Sequence, residues 1–146
     1  MRHLFVTLIA GLAVAGAANA ADPVPVSMIQ LIASPRDFDG KRIIVMGVPR
    51  IEFEGNALYL HREDFDHGLT KNALWLSASG DQEAEWKALE GHYVLVEGTF
   101  SAKNTGHFGL FSGAIQNVTR LHAWPRHPAP KAGVPPNTSL ERTRER

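Results

Sequence analysis

The hydrophobic and polar positions of the chain alternate in short runs, which predict a mainly β protein. A long run over residues 41–53 is apolar in its first half and alternates with charged residues in its second half. Further strands are expected over residues 57–61, 73–77, 92–102 and 114–124, because apolar runs bounded by turn residues are typical of strands. The pattern therefore predicts five strands.

Two short helices are expected between these strands. Ser27 can cap the first, because apolar residues recur at helical spacing directly after it. Pro35 should end it, since the residue before a proline avoids the helical region. Acidic residues at the start of residues 80–91, followed by Gly91, predict a second helix. The polar connection over residues 62–72 has room for one helical turn.

Glycines inside the first and fourth predicted strands indicate bends. Gly47 and Gly98 lie where a strand of a closing barrel has to turn sharply. Five strands with a helix between the third and the fourth have the layout of an OB-fold. We therefore expect a mainly β, five-stranded OB-fold-like barrel with one or two short helices and a disordered C-terminal tail.

The two ends of the chain differ from the middle. Residues 1–20 have a basic start, an apolar run and the cleavage pattern Ala18-Asn19-Ala20, which together predict a secretory signal peptide. The mature chain would begin at Ala21, and the barrel domain would span residues 21–124. Residues 125–146 hold five of the nine prolines and few apolar residues, so they are expected to be a disordered, basic tail.

Composition and charge exclude several kinds of site and partner. The chain of 146 residues has no cysteine, which excludes disulfides, thiolate metal sites and a cysteine nucleophile. Export predicts a periplasmic protein without a membrane span after signal cleavage. Residues 23–124 carry nine Lys/Arg and twelve Asp/Glu, a net charge of −3, whereas residues 125–146 carry +3. An acidic domain repels phosphate backbones, so we do not expect nucleic acid as a partner.

The sequence also resembles a known group of proteins. The segment SPRDFDGKRIIVMGV, in which Asp39-Gly40-Lys41 leads into Ile43 and Val45, resembles the helix-to-strand junction of small exported bacterial OB-fold proteins. The following EFEGNALYLHREDFDHGLTKNALWL resembles one branch of that group, which has no assigned catalytic residues. The resemblance covers residues 27–124. It implies a barrel that binds oligonucleotides, oligosaccharides, peptides or other partners.

A segment of seven residues at the end of the second predicted strand contains five possible metal ligands: His61, Glu63, Asp64, Asp66 and His67. The two histidines are six positions apart, a spacing that does not place them on one helical face for zinc. No calcium-loop pattern fits the acidic residues. We therefore interpret the cluster as the solvated face of a strand connection and expect neither a metal nor a cofactor, with a metal site as the alternative.

No pattern for catalysis is complete. No serine lies in a nucleophile elbow, and there is no phosphate-binding or dinucleotide-binding glycine motif. Glu52 and Glu54 share one strand face and could present two acids together, but a solvated strand face explains them more simply. We therefore assign no catalytic residues.

The aromatic residues are the best candidates for a binding site. Tyr59, His61 and Trp75 alternate with leucines on the second and third predicted strands. If the leucines line the barrel, these three side chains point outward, on the face where OB-folds receive ligands. We therefore predict that they bind a ligand. The alternative is that a helix or loop covers Trp75 and forms a second small core.

The sequence as a whole predicts an exported, non-enzymatic binding or interaction module that recognises a periplasmic protein or an oligosaccharide. One alternative is a nucleic-acid-binding OB domain, which a basic stripe along the barrel would favour. The other is a small metal-dependent hydrolase, which would need histidines and carboxylates that converge in a pocket.

Overall fold

The computed structural model describes residues 22–53, 55–78 and 82–125, which form a closed five-stranded barrel with one added edge strand. The strands are β1 (Val24–Pro25), β2 (Arg42–Arg50), β3 (Ala57–Tyr59), β4 (Ala73–Leu76), β5 (Val94–Ser101) and β6 (Ala114–Ala123). The helices are α1 (Met28–Ala33), α2 (Pro35–Phe38), α3 (Arg62–His67) and α4 (Gln82–Lys87), with 3-10 turns at Thr70–Asn72 and His107–Gly109. The predicted signal peptide and all but the first residue of the predicted tail lie outside the described residues.

The barrel closes because β2 pairs with two different strands along its length. Its first half runs antiparallel to β5, and its second half runs antiparallel to β3. The circuit continues through antiparallel β3 and β4, parallel β4 and β6, and antiparallel β6 and β5. This strand order confirms the predicted OB-fold-like barrel.

Gly47 allows β2 to change partners. A Cβ atom at this position would lie 2.6 Å from the carbonyl oxygen of Tyr59 and 2.7 Å from the Cγ atom of Leu58. Gly98 in β5 also lies at a close approach, since a Cβ there would lie 2.7 Å from Ile115, next to a register shift in the β5–β6 pairing. Both glycines lie where the sequence predicted bends, and close backbone approach explains them.

The barrel interior is filled by side chains from every barrel strand. The strands contribute buried residues that form one continuous cluster: Ile43, Val45, Leu58, Leu74, Leu76, Val94, Val96, Phe100 and Ile115. Met28 and Leu31 of α1 and Trp86 of α4 join the same cluster. Each buried side chain of this size contributes about 1.5–3 kcal/mol through the hydrophobic effect.

The predicted start and end of the first helix are confirmed, and the structure also contains a strand that the sequence did not predict. Ser27 caps α1 with Gln30 as its capping-box partner, and α1 ends before Pro35, which begins α2. The polar connection after β3 contains the six-residue helix α3. Strand β1 was not predicted, since it has only two residues and one of them is Pro25. Among the described residues, no helix is long and apolar enough to cross a membrane.

The substitution Gly47→Ala should lower the free energy of unfolding by about 1–3 kcal/mol, because its methyl group would meet backbone and buried side chains. The matched control is Gly55→Ala, whose Cβ would lie 3.3 Å from Glu52 side-chain atoms and no closer than 3.8 Å to backbone. The control should change stability clearly less than Gly47→Ala, because its new methyl group meets no atom closer than 3.3 Å. Urea denaturation measures both, and equal effects of the two substitutions would contradict the close approach at Gly47.

Candidate binding surface

The segment that gathers acidic residues and histidines forms α3, where its central carboxylate has a structural role. Asp64 is buried, and its carboxylate accepts hydrogen bonds from the His61 backbone N–H at 3.2 Å and from Asn72 Nδ2 at 2.7 Å. Arg62 and Asp66 form an ion pair one helical turn apart at 3.0 Å. The segment is therefore an ordered helix whose start is fixed by Asp64, and not only a solvated connection.

The same geometry separates the possible metal ligands. His61 precedes the first residue of α3 and His67 is its last residue, so the two imidazoles lie at opposite ends of the helix. Across residues 22–53, 55–78 and 82–125, no group of three or more His, Cys, Asp or Glu side chains is placed to hold a metal ion.

Tyr59 and Trp75 lie outside the main barrel cluster, on the face opposite the leucines, as the strand alternation predicted. They do not form an open surface. Tyr59 is 3% exposed and belongs to a second core with Ala57, Ala73 and Phe111, against which Phe65 and Trp75 pack. The alternative of a second small core, which the sequence left open, is therefore the arrangement in the structure.

Helix α3 is held over Tyr59 by aromatic and cationic contacts. The Phe65 ring lies edge-on to the Tyr59 ring at 6.0 Å. The Arg50 guanidinium lies 5.3 Å from the centroid of Tyr59 and 4.4 Å from that of Phe65, and it donates a hydrogen bond to the Phe65 carbonyl oxygen. Arg62 also lies over Phe65, at 5.1 Å, and donates to the Gly91 carbonyl oxygen. Cation–π contacts of this kind each contribute about 0.5–2 kcal/mol.

Burial also changes the chemistry of Tyr59. Removal of the hydroxyl from water raises the pKa of Tyr59, and the positive charge of Arg50 partly opposes this shift. Tyr59 is therefore a neutral, buried phenol that stabilises the second core.

Trp75 is covered on one side by the loop between β5 and β6. Gly106 approaches so closely that a Cβ there would lie 2.7 Å from Trp75 Cε3, and the Phe111 ring lies 5.4 Å from the Trp75 ring. The Trp75 backbone N–H donates to the Gly113 carbonyl oxygen at 2.9 Å. The rest of Trp75 remains partly exposed.

The three predicted ligand-binding residues Tyr59, His61 and Trp75 therefore do not form one open face. Tyr59 is covered because the β3–β4 connection contributes Phe65 and the β5–β6 connection contributes Phe111 to the second core. His61 lies beyond the end of β3, is exposed, and has its Nδ1 atom 3.4 Å from an Asp64 oxygen. Of the three residues, Trp75 is the aromatic one that keeps partial exposure, and ligand binding by it stays a prediction.

The open part of Trp75 lines a shallow depression with a volume of about 410 Å³, here called the Trp75 cleft. Its lining consists of Phe53, Asn56, Trp75, Leu76, Ser77, Ala78 and Glu83. Phe53 is 92% exposed. The Asn56 side chain donates to Glu83 Oε1 at 2.7 Å and accepts from the Glu52 backbone N–H at 3.0 Å, which fixes the orientation of the polar wall.

The residues that cover or extend the aromatic site were not predicted from the sequence. Phe65, Phe108 and Phe111 lie in polar or glycine-rich connections, whereas Phe53 was expected at the end of the first strand, which ends at Arg50 in the structure. A large apolar side chain in a connection is the signal that could have found them, because it favours a contact with the barrel or with a partner. Glu52, one of the two paired acids, lies 3.8 Å from the Arg50 side chain, and Glu54 lies outside the described residues.

Comparison with known proteins does not place the chain in a family. It matches no family model and no curated protein. A solved structure from Leishmania major Friedlin, assigned as an aspartyl-tRNA synthetase, is similar over 75% of this chain and 22% of that chain. The identity is 10% and the TM-score is 0.42, so this likeness carries no argument about function.

The substitution Trp75→Ala should lower the free energy of unfolding by about 3–5 kcal/mol, because it removes the ring on which Gly106 and Phe111 pack. Phe53→Ala is the control, since Phe53 is 92% exposed and its loss should change stability by less than about 0.5 kcal/mol. Chemical denaturation compares them. A Trp75→Ala loss no larger than the control's would contradict the packing of the loop on this ring.

Proposed function

We propose that this protein is an exported, non-enzymatic binding module whose ligand site is the Trp75 cleft. The observation that carries the proposal is the pairing of an almost fully exposed Phe53 with a partly exposed Trp75 in one depression. Exposed aromatic side chains next to a few oriented polar groups are typical of small-ligand sites. The cleft is built from the β2–β3 connection, β4 and α4, which is a region where OB-folds receive ligands.

The polar wall supports recognition rather than acid–base chemistry. Asn56 and Glu83 are joined to each other by a hydrogen bond, and Asn56 also accepts from the backbone of Glu52. Groups held in this way can accept or donate further hydrogen bonds from fixed positions, which favours the orientation of a bound molecule.

The chemistry of the cleft favours a neutral oligosaccharide over a nucleic acid. Aromatic rings stack on the apolar faces of sugars, and amide, carboxylate and hydroxyl groups bond to sugar hydroxyls. Glu83 places a negative charge in the lining, and the barrel residues 23–124 have a net charge of −3. Negative charge of this kind opposes binding of a phosphate backbone.

Export is part of the same proposal. A basic start, an apolar run and the Ala18-Asn19-Ala20 pattern support a signal peptide over residues 1–20. The resemblance to small exported bacterial OB-fold proteins supports the same location in the periplasm. An exported binding module would meet cell-envelope oligosaccharides in that compartment.

Titration calorimetry with neutral oligosaccharides of glucose and of N-acetylglucosamine tests whether the Trp75 cleft binds such a sugar. We expect saturable binding to one of them, and about tenfold weaker binding by Phe53→Ala, since loss of one stacking contact costs about 1–3 kcal/mol. Tyr93→Ala removes another exposed aromatic side chain outside the cleft and should leave the affinity unchanged.

No binding to either sugar series, or equal binding by Phe53→Ala, would contradict the oligosaccharide site. Tight binding of single-stranded DNA with a steep salt dependence would support the nucleic-acid alternative instead.

Protein recovered from a periplasmic fraction should begin at Ala21, because cleavage is expected directly after Ala20. Intact mass spectrometry of the purified protein measures this directly. Protein that retains Met1 in the cytoplasmic fraction alone would contradict export.

A further inference from the structure

The connection between β5 and β6 ends in an exposed apolar tip, here called the Phe108 tip and formed by Leu69, Phe108 and Leu110. Phe108 is 84% exposed, Leu110 46% and Leu69 48%. Leu69 comes from the turn before β4, and hydrogen bonds hold this turn beside the β5–β6 loop. Lys71 Nζ donates to the Gly109 carbonyl oxygen at 3.2 Å, and the Ser112 hydroxyl donates to the Lys71 carbonyl oxygen at 2.7 Å.

The loop is held in an ordered conformation that directs Phe108 away from the barrel. Phe108 has φ +54°, in the left-handed region that non-glycine residues rarely adopt. The surrounding backbone is fixed by hydrogen bonds from the Phe111 N–H to the Thr105 carbonyl oxygen at 3.1 Å and from the Gly106 N–H to Asn104 Oδ1 at 3.0 Å. Backbone strain persists only where the surrounding contacts enforce it, and such positions cluster at functional sites.

The second core supplies the base of this tip. The loop packs on Trp75 through Gly106 and Phe111, so the ring that the sequence marked as a ligand contact also supports the loop. The Phe108 ring lies edge-on to the His107 ring, with ring centroids 4.0 Å apart, and Phe108 is 84% exposed. The base of the loop is therefore fixed on the barrel, while the Phe108 ring at its end stays exposed.

Positive side chains predominate within the two segments that form the tip. The two segments that form it, residues 67–73 and 103–113, contain lysines and histidines but no Asp or Glu. Lys103 at the base lies 3.9 Å from Asp39, which partly neutralises it. Within the described ranges, Lys71 forms no ion pair, and its ammonium group bonds to a carbonyl oxygen.

We propose that the Phe108 tip docks the protein on an anionic lipid membrane surface. Phe108, Leu110 and Leu69 enter the boundary between the headgroups and the acyl chains, while Lys71 lies at the level of the lipid phosphates. Apolar and aromatic residues flanked by cations are the combination that binds anionic bilayer surfaces. Phe108 is 84% exposed, as a residue that enters a bilayer has to be, while Leu69 and Lys71 line a shallow depression in the turn before β4. This surface is separate from the Trp75 cleft, so it does not depend on the proposed oligosaccharide.

Vesicle sedimentation with the full mature chain tests this surface. We expect the protein to bind vesicles of phosphatidylcholine mixed with phosphatidylglycerol and to bind pure phosphatidylcholine vesicles much less. Phe108→Ser should weaken binding to the anionic vesicles about tenfold, because it removes the most exposed apolar side chain of the tip. Lys71→Gln should weaken it about fivefold, the effect of one cation near the surface.

The control is Ile29→Ser, which removes a 60% exposed apolar side chain from α1 and should not change binding. The basic residues 125–146 are present in every variant, so binding through them would be equal in Phe108→Ser and in the unchanged chain.

Insertion can be measured separately from charge attraction. A Phe108→Trp variant should show added tryptophan emission that brominated acyl chains in anionic vesicles quench, whereas Ile29→Trp should not. Each variant must keep the melting temperature of the unchanged chain. The proposal is overturned if the unchanged chain does not bind anionic vesicles, if Phe108→Ser binds equally well, or if tryptophan at position 108 is not quenched.

Discussion

The pairing of β2 with both β5 and β3 is the constraint on which the rest of the structure depends. Residues 42–47 pair with β5 and residues 48–50 pair with β3, and Gly47, at the point where the partner changes, allows a close approach to the Tyr59 carbonyl oxygen. Beyond this point, Val48, Pro49 and Arg50 pair with Tyr59, Leu58 and Ala57 of β3. This brings Arg50 over the ring of Tyr59, where it also contacts α3.

The outer side of the barrel therefore has its own packing, which determines what can face a ligand. The second core covers Tyr59, and the loop before β6 covers one side of Trp75. The uncovered side of Trp75 lies beside Phe53, while the loop that rests on Trp75 carries Phe108. One indole ring thus contributes to a cleft and also supports a projecting loop, which makes β4 the link between the two proposed surfaces.

The barrel could be predicted from the sequence because strand alternation and the two internal glycines follow from the local chain. The direction of Tyr59 and Trp75 could be predicted for the same reason. The covering of these two rings could not be predicted from the sequence. It depends on Phe65 and Phe111, which lie in connections without a periodic pattern. β1 was missed because its two residues, including Pro25, become a strand only through pairing with β2.

Closure through distant strands has a consequence for the kinetics of folding. The register that closes the barrel joins Arg42 to Thr99, and the ion pair of Arg42 with Glu97 spans 55 positions. In contrast, β3, α3 and β4 form a local unit within residues 57–76. Contacts between distant residues form slowly because a long loop must be closed first. We therefore expect the local unit to form early and the closing pair late, so that the edges of β2 and β5 stay unpaired until the last strands have arrived.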